Sequence, residues 1–185
     1  MKKFVRLIAG SRGAEIAEFA VVLPLLLSII FGIFSFSRAY NIYNTITRAA
    51  QEGARVAGSP ACASCGGVAC GAGPATPFPC DTVVANAVSG VLQASHIDPA
   101  QIATMTPATP TAAAWTAASC APPSPAPACT TTNNITICRF VVLNPASTTH
   151  ECGTVVSFQY PYQFLPMLTV KSINIPAQAQ SRMEY

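Results

Sequence analysis

The residues with most chemical potential in this chain are eight cysteines, Cys62, Cys65, Cys70, Cys80, Cys120, Cys129, Cys138 and Cys152, and two histidines, His96 and His150. Cys62-x-x-Cys65 has the spacing of a metal knuckle or of a dithiol redox pair. A knuckle needs further soft ligands, yet no second Cys-x-x-Cys follows, and His150 and Cys152 are the only later His–Cys neighbours. A redox pair needs a strand-to-helix turn, whereas Pro60 and Gly66-Gly67 predict a loop. Disulfide formation is the chemistry that remains. An even cysteine count in a small, loop-rich region is the pattern of a stapled domain in an oxidising compartment. Eight cysteines admit 105 pairings, so spacing assigns none. His96 reads as a polar loop residue, with no second histidine near it. No Gly-x-Ser-x-Gly, His-Glu-x-x-His or convergent pair of carboxylates is present, so the expectation is a protein that is not an enzyme and that uses no metal and no cofactor.

The elements that position these residues begin with an apolar run. Only 9% of the chain is charged, against roughly 25% in an ordinary soluble domain. Between Glu18 and Arg38 no side chain is charged, and those nineteen residues span roughly 28 Å as a helix, close to the hydrocarbon thickness of a bilayer. Lys2, Lys3, Arg6 and Arg12 precede the run, which puts the leader in the cytoplasm and the rest outside. Beyond residue 13, six basic residues face seven acidic ones. That near-neutral balance argues against a nucleic-acid partner, which needs clustered Lys and Arg. Pro24 removes one backbone donor inside the run and predicts a kink, which membrane helices tolerate.

The helical pattern continues past the apolar run. Ile42, Ile46, Ala49, Ala50, Gly53, Ala54 and Ala57 form a stripe at helical spacing, with Asn44, Arg48, Gln51 and Arg55 opposite, and Arg48–Glu52 is an i,i+4 pair. The stripe is built from small residues, so it suits either close approach of a neighbouring helix or packing on the chain's own domain. Gly58-Ser59-Pro60 ends the helix. Asp81-Thr82 predicts the N-cap of a second helix from Val83 to Ala94, with Val84, Ala87, Val88, Val91 and Leu92 on one face. Strands are predicted at Gln101–Thr106, Ile135–Leu143, Thr154–Tyr162 and Leu168–Gln180, the last with a bulge at Lys171-Ser172 and Pro161 marking a strand end or edge. Residues 107–132, including Pro122-Pro123-Ser124-Pro125-Ala126-Pro127, predict an extended loop tied down by Cys120 and Cys129, with Trp115 docking it.

One set of features carries a family resemblance. Arg12-Gly13-Ala14-x-x-x-Glu18-Phe19, Leu23-Pro24, Phe31-Gly32, Tyr40 and Arg48-Ala49-Ala50-x-Glu52-Gly53-Ala54-Arg55 resemble the TadE-like pseudopilins of the tight-adherence (Flp-type) pilus system. The closing Arg182-Met183-Glu184 is similar as well. The resemblance implies a pilin-like α+β fold: a basic prepilin-type leader (1–13), a long N-terminal helix (14–58) spanning the membrane at about 19–37, and a disulfide-rich extracytoplasmic domain (59–185) with one short helix and an antiparallel sheet. It implies cleavage by a prepilin peptidase between Gly13 and Ala14, with Glu18 and Phe19 as assembly residues. The implied partners are that peptidase, other pilins or pseudopilins and the pilus secretion machinery. The implied location is the bacterial cytoplasmic membrane, crossed once, with the pilus as a second location.

Physical reasoning agrees with such a cut. Cleavage would leave an ammonium on Ala14, and among packed apolar helices an unpaired charge is costly. The carboxylate of Glu18 on a neighbouring copy would neutralise it, and Glu18 borders the apolar run more closely than Glu15 does. Two other readings use the same residues. The run could be an ordinary secretory signal cut near Ser35-x-Ser37, but it is long for that and two acids precede it. Alternatively, the chain is an uncleaved membrane-anchored extracytoplasmic binding protein.

Overall fold

The computed structural model describes residues 11–60, 78–105, 128–143, 151–163 and 172–183. Its fold is α+β. Helix α1 spans Ser11–Gly58 and helix α2 spans Asp81–Ala94, with a single 3₁₀ turn at Pro99–Gln101. Strands β1 (Ala128–Thr132), β2 (Ile135–Val142), β3 (Cys152–Tyr162) and β4 (Ile173–Arg182) form an antiparallel sheet in the order β1-β2-β3-β4. The chain divides into two units, Met1–Tyr40 and Asn41–Tyr185. Pro24 lies inside α1 without ending it.

In the second unit, α2 and the Asn41–Gly58 part of α1 share a core with the sheet. Ile46, Ala49, Ala50, Ala54 and Ala57 of α1 join Val84, Ala85, Val88 and Leu92 of α2 and Ile135, Ile137, Val156, Phe158, Ala177 and Ala179 of the sheet. The small-residue stripe is therefore satisfied by the chain's own domain. Gly53 shows why small residues are required: a Cβ there would come within 2.5 Å of Val88 Cγ2 and 3.4 Å of Val156 Cγ1. The expected face of Val156, Phe158, Tyr160 and Tyr162 is buried. Cys138, Val141 and Val155 form a second buried cluster on the other sheet face.

Several elements differ from the sequence expectations. Helix α2 begins at Asp81, with Cys80 at the N-cap position and no side-chain cap; Asp81 turns its carboxylate to Arg139 and Thr130 instead. The strand expected from Gln101 is absent among the described residues. Asp98 accepts from the Ala100 N–H and Pro99 sets the first 3₁₀ position, which leaves only an isolated bridge between Ala103 and Gln159. The end of the expected loop, Ala128–Thr132, is strand β1. It pairs with β2 because Asn133 (φ 52°) and Asn134 (φ 63°) supply a two-residue turn with both φ positive, the geometry that matches strand twist.

The sheet's irregularity lies in β2. Cys138 pairs with Val155 and Val141 with Gly153, so Arg139 and Phe140 together oppose Thr154. This is a β-bulge, and Phe140 takes a φ of 56° within it. The bulge expected at Lys171-Ser172 lies partly outside the described residues; from Ile173 onward the β3–β4 register is unbroken. Gln159 exchanges both backbone bonds with Ala103, so residues of that parity in β3 turn their N–H away from β4. Pro161 shares this parity, and Pro176, opposite Gln159, faces the outer edge of β4. Neither proline interrupts a bond between the two strands.

Candidate functional site

From Ile16 to Phe36 helix α1 presents its apolar side chains outward: Ile16, Phe19, Val21, Leu25, Phe31 and Phe34 are all exposed. The helix has the length and composition to cross a membrane, and none of its apolar window is buried against the protein. It has the character of a single-pass membrane anchor. Leu, Ile and Phe favour the helix here because their packing partners would be apolar on every side. Glu18 is the one charged side chain described in the segment before Arg38, and it is exposed.

Gly13 and Ala14 lie in the helical backbone of α1, which starts at Ser11. Glu18 is thus about two turns into the uncut helix. Its carboxylate would reach the first turn, where it complements the macrodipole, only in a chain that begins at Ala14. Phe19, beside it, is 65% exposed. Cys62, Cys65, Cys70, Cys120, His150 and Trp115 lie outside the described residues.

The described cysteines are all oxidised. Cys129 and Cys138 are bonded to each other across the β1–β2 hairpin, with Cα atoms 4.0 Å apart, and they are register partners. Counting from the closing pair Thr132–Ile135, they fall at a non-hydrogen-bonded position, where antiparallel Cα atoms come closest. Cys80 and Cys152 are disulfide-bonded as well. His96 follows Ser95, the C-cap residue of α2, and has φ 58°. Its N–H donates to Gln93 O and that of Ile97 to Leu92 O, a Schellman cap. No metal-ligating cluster occurs among the described residues.

The strongest polar constellation centres on Arg139, which spacing alone did not single out. Its Nη1 donates to Ala57 O at 2.8 Å, and its Nη2 donates to Pro79 O at 2.7 Å and Asp81 Oδ1 at 2.8 Å. Nε also donates to Asp81 Oδ1 at 3.2 Å. Thr130 donates to the second carboxylate oxygen. One guanidinium therefore joins the last turn of α1, the entry to α2 and, through Asp81, strand β1. A helix end leaves carbonyls without partners and carries partial negative charge, so a cation there is favourable. Phe78 packs edge-on against Phe140 with centroids 5.8 Å apart, closing the same corner.

On the exposed face of α1 the expected Arg48–Glu52 pair is replaced by Glu52–Arg55, with Nη2–Oε1 at 2.7 Å and Nε–Oε2 at 3.0 Å. The three-residue spacing lets the guanidinium meet both carboxylate oxygens. The hydrogen bond from Arg55 holds the Glu52 carboxyl below its ordinary range, and Glu52 in turn raises Arg55. Burial pushes the Tyr160 phenol up, with a contribution from the Asp98 charge.

The TadE-like protein family matches residues 13–55. No curated protein matches the chain, and no solved structure does. The matched segment starts at Gly13, takes in the exposed apolar helix with Glu18, and ends at Arg55 inside the buried stripe. Over that segment the chain is similar to TadE-like proteins, a family of the tight-adherence pilus system.

Proposed function

We propose that this protein is a minor pseudopilin needed for tight-adherence pilus assembly, processed by a prepilin peptidase after Gly13. The observation that carries the proposal is the family match beginning at that glycine. The chain is a substrate of the peptidase and not itself an enzyme. It sits in the bacterial cytoplasmic membrane with its leader in the cytoplasm and its disulfide-bonded domain outside, in the compartment where disulfides persist.

Glu18 is the assembly carboxylate. An exposed acid beside an apolar helical face is costly in lipid unless it meets a cation. The ammonium of Ala14 on a neighbouring subunit supplies one after the cut. Pilins, pseudopilins and the secretion machinery are the partners that receive this helix. N-terminal sequencing of the protein purified from cells holding the peptidase tests the proposal. A mature chain beginning at Ala14 is expected, and one beginning at Met1 overturns the processing step. Glu18→Ala should insert normally and lose pilus assembly; unchanged pili would remove the carboxylate's role.

A further inference from the structure

Strand β1 is five residues long and lies at one side of the sheet, with β2 as its only strand neighbour among the described residues. Cys129 and Cys138 bridge the two strands from register-paired positions. The two halves of this bridge meet different surroundings. Cys138 is 3% exposed and clusters with Val141 and Val155, against which Leu143 packs. Cys129 is exposed. The other described cysteines, Cys80 and Cys152, are disulfide-bonded and half-buried. Among the described cysteines Cys129 alone is open to a reagent from outside.

The direction of the bridge adds to this difference. A thiolate attacks one sulfur of a disulfide from the side opposite the sulfur that leaves. Here that line runs across the strands. Approach to Cys138 comes from the side of β3, through Val155, its register partner there. Approach to Cys129 comes from beyond the edge of β1. Cys129 is thus the sulfur that can be attacked, and Cys138 the one that leaves. The pairing around the bridge has other supports. Thr130–Ile137, Thr131–Thr136 and Thr132–Ile135 continue the ladder, Asn133 and Asn134 make the turn, and the Thr130 hydroxyl donates to Asp81.

We propose that Cys129 is a thiol-exchange site, attacked by a dithiol, and that Cys129–Cys138 is the bridge of this domain that opens. In the first step the attacking thiolate bonds to Cys129 Sγ, the Cys129–Cys138 bond breaks, and Cys138 leaves with the electron pair. In the second, the other thiolate of the dithiol attacks its own partner sulfur in the mixed disulfide and releases Cys129. The dithiol is oxidised to a disulfide, the bridge is reduced by two electrons, and the two cysteines take up the protons that the dithiol gave up. Apolar surroundings favour the neutral thiol at Cys138, so it is a weak nucleophile for reclosing the bridge before the second step. Opening unties the Ala128–Cys129 end of β1 and leaves β2–β4 in place. The proposal rests on the fold of the domain and not on cleavage at Gly13 or on pilus assembly.

The test uses the oxidised full-length protein in detergent, exposed to limiting dithiothreitol without denaturant. Samples are quenched in acid, unfolded, labelled with N-ethylmaleimide and mapped by peptide mass. Cys129 and Cys138 should become labelled together, about tenfold faster than Cys80 and Cys152. Labelling of Cys80 or Cys152 at the same rate or faster overturns the proposal. Glutathione, a monothiol, should leave its adduct on Cys129; an adduct on Cys138 instead, or none, removes Cys129 as the attacked sulfur. In protein reduced at this bridge alone, backbone amides of 129–131 should exchange hydrogen faster while those of 155–158 keep their protection. Unchanged exchange at 129–131, or lost protection at 155–158, overturns the local opening of β1.

Discussion

Arg139 donates a 2.8 Å hydrogen bond to the main-chain carbonyl of Ala57, tying a bulge in the sheet to the last turn of the helix matched by the family. The bulge explains how it gets there. Arg139 and Phe140 share the position opposite Thr154, and the extra residue leaves the guanidinium on the helix-covered side while Cys138 and Val141 stay together on the other.

Arg139 should be the most sensitive polar residue of the domain. Its side chain is 14% exposed, and removing it takes a donor from two carbonyls and from Asp81 Oδ1, leaving Asp81 only the Thr130 hydroxyl. Arg139→Met is expected to cost about 2–4 kcal/mol. Arg139→Lys should recover little of this, since an ammonium cannot span the same fork of acceptors. Urea unfolding of the full chain in detergent measures both; a cost below ~0.5 kcal/mol would remove Arg139 from this role.

Two glycines in α1 should respond oppositely to alanine. Gly53→Ala brings a methyl within 2.5 Å of Val88 Cγ2, so overpacking of about 1–3 kcal/mol outweighs the better helix propensity. Gly32 has nothing within 4 Å. Gly32→Ala should leave domain stability unchanged, and a loss of pilus assembly in that variant would place a neighbouring helix against it. Thermal unfolding and pilus counts separate the two effects.

The hydroxyl of Thr154 is fully buried and, among the described residues, has no hydrogen-bond partner. An unmet hydroxyl costs about 1–3 kcal/mol. Thr154→Val keeps the shape and removes that cost, so the variant should be as stable as the parent or more so. A clear loss of stability would mean that the hydroxyl is satisfied in solution.

Acid should weaken the Glu52–Arg55 bridge in one direction only. The folded pKa of Glu52 is depressed by Arg55, so the pair's contribution is fully present above the ordinary glutamate range and is lost as pH falls through the folded value. Both groups are solvated, so the contribution is small and is screened further by salt. Glu52→Gln should match the parent at pH 3 and be slightly less stable at pH 7; a difference that grows toward acid pH would contradict the assignment.

Much of this protein was legible in its sequence because the relevant forces act locally. A charge-free run of membrane length, ended by Gly58-Ser59-Pro60, has one low-energy solution, a helix that continues into the small-residue stripe. The alternation of Val156, Phe158, Tyr160 and Tyr162 likewise marks a buried strand face, and the Gly13/Glu18 spacing pointed to the family. Tertiary structure decided what depended on partners distant in sequence. It gave the stripe of Ala49, Gly53 and Ala57 to the chain's own α2 and β3, where a second copy could equally have filled it. It turned Ala128–Thr132 into a strand, because an edge strand gains its ladder only once Asn133 and Asn134 fold it back on β2. It moved Asp81 from helix cap to ion-pair partner, since Arg139 lies 58 residues away in sequence and only the bulge opposite Thr154 brings it to the end of α1.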